Sequence, residues 1–198
     1  MNTFEFYLQT PFGRGLDELF RQAERALGLS QPVDVYVAGG MAVHLYTGVR
    51  VTADVDAEFG CRVLLPAGLS VSVDDGSDLP LGMYFDTNYN PMFSLLHEDY
   101  QRDAVEVPLG LRYFRVRVLA PVDLALSKVA RYAENDRQDI AALAAAGLVS
   151  SEALSRRGEE ALVAYIGNTQ AAHGNLESAV ACVRAVEAAG HFPTPFSR

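Results

Sequence analysis

The chain has 198 residues, 49% of them apolar, and a net charge of −9. That suffices for one good-sized domain or two small ones with a real core, and the negative charge argues against a protein that holds nucleic acid through a broad basic surface. No apolar run reaches the roughly 18 residues of a membrane span, and MNTFEFYLQTPFGRG lacks the basic-then-apolar order of a secretion signal. The expectation is a cytoplasmic protein without membrane contact, with Cys61 and Cys182 as reduced packing residues because they stand far apart without metal-ligand spacing.

Along the chain, residues 15–29 repeat apolar side chains at Leu16, Leu19, Phe20, Ala23 and Leu27, a helical period. VDVYVAG, 33–39, is β-branched and bounded by Pro32 and a glycine pair, which predicts a buried strand running into a turn; MAVHLYTG then restarts as a short helix. DVDAEF, 54–59, is the next strand. LSVSVDD, LGMYFDT, DAVEVP and LRYFRVRVLA, between 69 and 120, read as further strands separated by Gly, Pro and Asp turns. After Pro121 the pattern turns helical, with predicted helices at 122–134, 136–146, 151–166 and 174–189 and stops at Gly147, Gly167 and Gly190. The tail HFPTPFSR is expected to be loosely held. The division is therefore an α/β or α+β unit over 1–120 and a helical region over 121–198.

Charge is unevenly spread. Between Leu111 and Arg137 six basic residues (Arg112, Arg115, Arg117, Lys128, Arg131, Arg137) meet three acidic ones (Asp123, Glu134, Asp136), a local +3 that leaves −12 for the rest. A phosphate-bearing ligand could be met there.

The segment VYVAGGMAVHLYTGVRVTADVDAEF, 35–59, carries the chemistry. Side chains two apart in a strand point the same way, so Asp54 and Asp56 share a face while Val55 packs on the other. Adjacent carboxylates repel, and the cation that best relieves them while also taking phosphate oxygens is Mg²⁺, with Mn²⁺ as substitute. Gly39 and Gly40 supply a turn whose amides, feeding a helix N-terminus at Met41, can hold a phosphate. Arg50 and Thr52 turn toward the same place. Each part alone has a bland reading, a common turn or a solvated strand edge; the order of the parts is the specific feature.

A strand ending in GG, a short helix, then a strand bearing Asp54-Val55-Asp56 resembles the signature of the DNA polymerase β-like nucleotidyltransferase superfamily. Residues 119–154, LAPVDLALSKVARYAENDRQDIAALAAAGLVSSEAL, are similar to the distal motif of AbiEii-type nucleotidyltransferases, with Lys128 on one helix and Asp136, Arg137 and Asp139 on the next. The resemblance spans about residues 15–190. It implies a nucleotidyltransferase-like mixed sheet flanked by helices, an NTP substrate and Mg²⁺ held by Asp54 and Asp56. It further implies phosphate contacts from Gly39, Gly40 and Lys128, and a nucleotide site extended by Arg50, Thr52, Arg131, Asp136, Arg137 and Asp139. Asp136, Arg137 and Asp139 have an equally good structural reading as ion pairs and a helix cap. The acceptor would be an RNA, protein or small-molecule hydroxyl, and relatives serve as toxins beside an antitoxin protein in toxin–antitoxin or phage-defence systems.

Members that use two metals add a third carboxylate to activate the attacking hydroxyl. Asp86 and Glu106 are the strand-borne candidates, and Glu58 lies a step too far along the same strand. If no third group arrives, the alternative is a catalytically reduced fold that holds a partner protein. A third reading, a helix-turn-helix at 145–158 with Arg156 and Arg157 on its second helix, is opposed by Glu152, Glu159 and Glu160 on that helix. The four histidines have no metal-ligand spacing and are read as packing or surface residues.

Overall fold

A computed structural model describes residues 4–77 and 79–190. The tail 191–198 lies outside the described residues. The fold is mixed α+β in two compact units, the first comprising residues up to Tyr89 with Ala104–Leu119, the second Asn90–Asp103 with the residues from Ala120 onward. The sequence division at residue 120 misses the excursion of Asn90–Asp103 into the second unit. No described helix is long and apolar enough to cross a membrane, and both cysteines are free thiols.

In the first unit, α1 (Pro11–Leu27) starts four residues before its apolar period because Thr10 caps it, accepting from Gly13 N at 3.0 Å, with Pro11 in the first turn. Leu16, Leu19, Phe20 and Ala23 are fully buried, the face expected from their spacing. β1 (Val33–Val37) runs into α2 (Gly39–Thr47), and β2 (Asp54–Val55) is followed by β3 (Ala57–Phe59). β4 (Ser70–Val73) and β5 (Leu81–Phe85) form an antiparallel pair, and β6 (Val105–Glu106) pairs antiparallel with β7 (Phe114–Val118).

These strands form two sheets, β3-β1-β7-β6 and β2-β5-β4. β1 is central in the first, parallel to β7 and antiparallel to β3, so Val35 faces Val116 on one side and Phe59 on the other. β5 is central in the second, parallel to β2. The expected single strand 54–59 is therefore corrected: it divides at Asp56, its first part joining one sheet and its last part the other. The physical reason is in the backbone. Asp56 O accepts from Ala38 N at 2.9 Å, beyond the end of β1, while Val55 O accepts from Asp86 N at 3.0 Å, beyond the end of β5. Phe20, Phe59, Phe85 and Phe114 close a ring of tilted and edge-on contacts, with centroids 5.1 to 5.9 Å apart, that ties α1 to strands of both sheets.

The second unit holds a 3₁₀ turn (Pro91–Phe93), α3 (Tyr100–Asp103) and four longer helices, α4 (Pro121–Ser127), α5 (Glu134–Ala145), α6 (Ser151–Leu162) and α7 (Thr169–Ala188). α4 stops seven residues short of expectation, because the chain turns through Tyr132 at φ +49° before α5 begins. Ser150 and Asn168 cap α6 and α7, accepting from Ala153 N and Ala171 N. Gly158 lets α6 approach α7, since a Cβ there would lie 2.5 Å from Leu176.

Arg157 of α6 reaches Asp123 of α4 with both Nε (2.8 Å) and Nη2 (2.7 Å), and Asp103 of α3 at 2.8 Å. Asp123 is fully buried. This spends on internal pairing one of the two arginines that a helix-turn-helix reading would turn toward phosphates. Arg157→Ala strands a buried charge and is expected to cost about 3 kcal/mol in urea unfolding, whereas Arg157→Leu combined with Asp123→Leu recovers most of that loss.

Candidate functional site

The glycine pair occupies the first two positions of α2. Gly39 has φ +61°, a left-handed backbone that favours glycine, and a Cβ on it would fall 2.7 Å from Asp56 Cγ and collide with the carboxylate. A Cβ on Gly40 would lie 3.2 Å from both Thr52 Cβ and Oγ1 and 3.4 Å from Arg50 Nε. Thr52 in turn donates a short hydrogen bond to Asp54 Oδ1. Gly39, Gly40, Arg50, Thr52, Asp54 and Asp56 are thus brought together, with one aspartate against each glycine, directly or through a threonine. Ala38 offers no capping side chain to the first turn of α2, so the amides of that turn suit an anion.

The two other acids expected near this pair differ sharply. β2 and β5 align Asp54 with Tyr84 and Val55 with Phe85, and one further step of the same register sets Asp86 beside Asp56. Asp86 Oδ1 accepts from Asn88 N at 2.8 Å, in the turn that follows β5. Glu106 lies on β6, opposite Arg117, three strands from β3 in the other sheet, a separation of roughly 14 Å at the usual interstrand spacing. Glu58 faces Tyr36 within that first sheet and leads away from the turn. Among the described residues no group of three or more His, Cys, Asp or Glu side chains is arranged to hold a metal ion.

In the second unit Lys128 is buried, and its Nζ donates to Asp139 Oδ2 at 2.8 Å. Asp136 accepts from Arg131 Nε and Nη2, both at 2.8 Å, and from Ala133 N at 2.9 Å. Burial pushes its carboxyl up, but the guanidinium and the amide hold it below the ordinary value. Arg137 pairs with Glu134 and stacks over Tyr132 at 5.7 Å. These residues build the start of α5, in line with the structural reading of that motif.

His44, read from sequence as packing or surface, proves to be a structural strut of the first site. It is buried in α2, with Nδ1 2.6 Å from Arg50 O and Nε2 2.7 Å from Thr10 Oγ1. A carbonyl only accepts, so Nδ1 carries the proton. Burial lowers the ring's affinity for a second proton, against the opposing pull of the Arg50 carbonyl. The sequence signal was its place in an otherwise apolar helix, where a histidine needs polar partners.

The family model described as "Nucleotidyltransferase of unknown function (DUF6036)" matches residues 14–179. No curated protein and no solved structure matches significantly.

Two outcomes follow from this geometry. Gly39→Ala should cost about 1–3 kcal/mol, since it combines left-handed backbone strain with displacement of Asp56, and thermal unfolding measures it. For His44 the folded value lies below the unfolded 6.5. Its stabilising effect is therefore complete above that pH and declines as pH falls below it. The difference in unfolding free energy between the wild type and His44→Gln should shrink on acidification from pH 7.5 to 5.

Proposed function

Because the chain belongs to the family of nucleotidyltransferases of unknown function (DUF6036), we propose that it transfers a nucleoside monophosphate from an NTP to a hydroxyl group. The observation that carries this reading is the contact of the glycine turn with Asp56 on one side and with Thr52 and Asp54 on the other. Amides at the start of α2 would receive the triphosphate, with Arg50 beside them as a counter-charge.

Asp54 and Asp56 are suited to Mg²⁺, or Mn²⁺, because such an ion keeps waters, takes phosphate oxygens and needs only one or two protein carboxylates. When bound, the ion would offset charge on the triphosphate and on the leaving pyrophosphate. The close approach at Gly39 supports this fit, because it sets a carboxylate against the amides that would hold phosphate. Of the two third-carboxylate candidates, we assign the proton-accepting role to Asp86, one strand from the pair, and none to Glu106. The further likeness to AbiEii-type proteins supports a toxin role beside an antitoxin protein, in the cytoplasm.

A second reading is favoured by one observation, the lack of a three-acid cluster among the described residues: a reduced enzyme that binds NTP and holds a partner. The variants separate the two. Asp54→Asn and Asp56→Asn should each lower Mg²⁺-dependent transfer from α-labelled NTP by at least about a hundredfold. The melting temperature of Asp54→Asn should equal or exceed that of the wild type, since one of two repelling charges is gone. Asp86→Asn should lower transfer without weakening NTP binding, and Glu106→Gln should change neither. Tight NTP binding with no transfer to any hydroxyl compound would favour the partner-holding reading.

A further inference from the structure

A cavity of about 440 Å³ opens beside the proposed site within the first unit. Leu65, Pro66, Leu69, Ser70, Tyr84 and Thr87 line it, together with part of Phe85. Its place follows from the register. Asp54 lies directly opposite Tyr84, and Tyr84 directly opposite Ser70, so the three occupy one row across β2, β5 and β4. Directly opposed side chains share a face. Met83, on the opposite face of β5, is fully buried, whereas Tyr84 is 48% exposed; Phe85 is buried but also borders the cavity. Crossing the sheet, one meets the glycine turn, then Asp54 and Asp56, then Asp86 and Tyr84, then the cavity.

We propose that this cavity is the acceptor site, and that it takes an uncharged hydroxyl-bearing group with an apolar or aromatic body rather than the end of a nucleic acid. The inference rests on the nucleotidyl transfer proposed above. Phosphoryl transfer is in line: the attacking and leaving oxygens lie on opposite sides of the phosphorus. With pyrophosphate on the glycine turn, the attacking hydroxyl comes from the far side of the carboxylates, where the cavity lies. The acceptor oxygen forms a bond to the α-phosphorus, and the bond from that phosphorus to the bridging oxygen breaks. Pyrophosphate leaves with the electron pair, and the hydroxyl proton passes to Asp86, two residues along β5 and its turn from Tyr84.

The walls specify the chemistry of the acceptor. Their surface is aliphatic and aromatic with three hydroxyls, those of Ser70, Tyr84 and Thr87, so an apolar body bearing a hydroxyl group is matched. From residue 63 to 89 the chain has no Lys, Arg or His, and the described residues there include Asp74, Asp75 and Asp86. A polyanionic strand entering along this hairpin would meet those carboxylates and no cation from the segment itself, the reverse of what phosphate backbones require. A phenolic or aliphatic hydroxyl, free or on a protein side chain, meets no such barrier.

The test uses the full chain, Mg²⁺ and α-³²P-labelled NTPs with three acceptors: N-acetyl-L-tyrosinamide, N-acetyl-L-serinamide and a mixed-sequence RNA oligonucleotide with a free 3′ hydroxyl. Saturation-transfer NMR reads binding of the two amides in parallel. Ser70→Phe fills the cavity and Tyr84→Ala opens its wall, both at exposed positions. Saturation transfer to at least one amide is expected, lost in Ser70→Phe, with label on that amide. Each variant should raise its KM about tenfold while the NTP Kd moves by less than about twofold. Labelling of the RNA at a rate both variants leave unchanged, or no saturation transfer to either amide, overturns the assignment. A wild-type protein that fails to bind NTP with Mg²⁺ instead overturns the proposed function on which it rests.

A peptide source of the hydroxyl is told from a small-molecule one by repeating the assay with unstructured peptides carrying one Ser, Thr or Tyr. A KM at least about tenfold below that of the matching amide indicates contacts beyond the cavity.

Discussion

Everything in the first unit hangs on one constraint: six consecutive residues, 54–59, serve two sheets. Val55 is fully buried with β5 as its neighbour, and two residues later the chain is paired with β1. Asp56 stands at the crossing, its carbonyl committed to Ala38 N. Because backbone bonds fix the crossing from both sides, the Asp56 side chain has little freedom in where it points. It meets the first residue of α2, and only glycine at position 39 leaves room for it. The strand switch and the glycine turn are one device, and the ring of four phenylalanines is the apolar counterweight that holds the two sheets in register around it.

The acids of the two units illustrate how environment separates ion-paired structural carboxylates from those proposed to bind a ligand. In the second unit Asp123, Asp136 and Asp139 are all buried, and each has a cation within 2.8 Å: Arg157, Arg131 and Lys128. Buried charges need such partners, because leaving one alone costs several kcal/mol. In the first unit Asp54 is exposed and accepts from a neutral hydroxyl, with another carboxylate two residues away. Under the proposed function, an external cation would complete this arrangement.

Much of this was legible in the sequence for a physical reason: period and punctuation report local structure. The apolar spacing of α1, the β-branched run of β1 and the glycine pair each sit where expected, and six residues of the 39–56 stretch lie close together. What escaped depends on long-range pairing. A strand that changes sheets has the same alternation as one that does not, so the break at Asp56 left no local trace. The Asn90–Asp103 excursion is defined by what it packs on, with Asp103 meeting an arginine 54 residues away. The early end of α4 turns on Tyr132 in a left-handed conformation, which nothing in an alanine-rich stretch announces. His44 was hidden because both of its partners, Thr10 and the Arg50 carbonyl, come from other segments.

The balance between an active and a reduced enzyme then rests on Asp86, and energetics bear on it. The Asp86 carboxylate accepts a hydrogen bond from the Asn88 amide across an exposed turn. Redirecting one oxygen of such a group costs about 1 kcal/mol, the net worth of an ordinary hydrogen bond. A positioned base contributes about 10²- to 10⁴-fold to rate, or roughly 3–5 kcal/mol. The gain from turning Asp86 toward an acceptor hydroxyl exceeds the cost of releasing it. The lack of a preassembled acid triad among the described residues is therefore compatible with catalysis, provided substrate and ion arrive to complete the site.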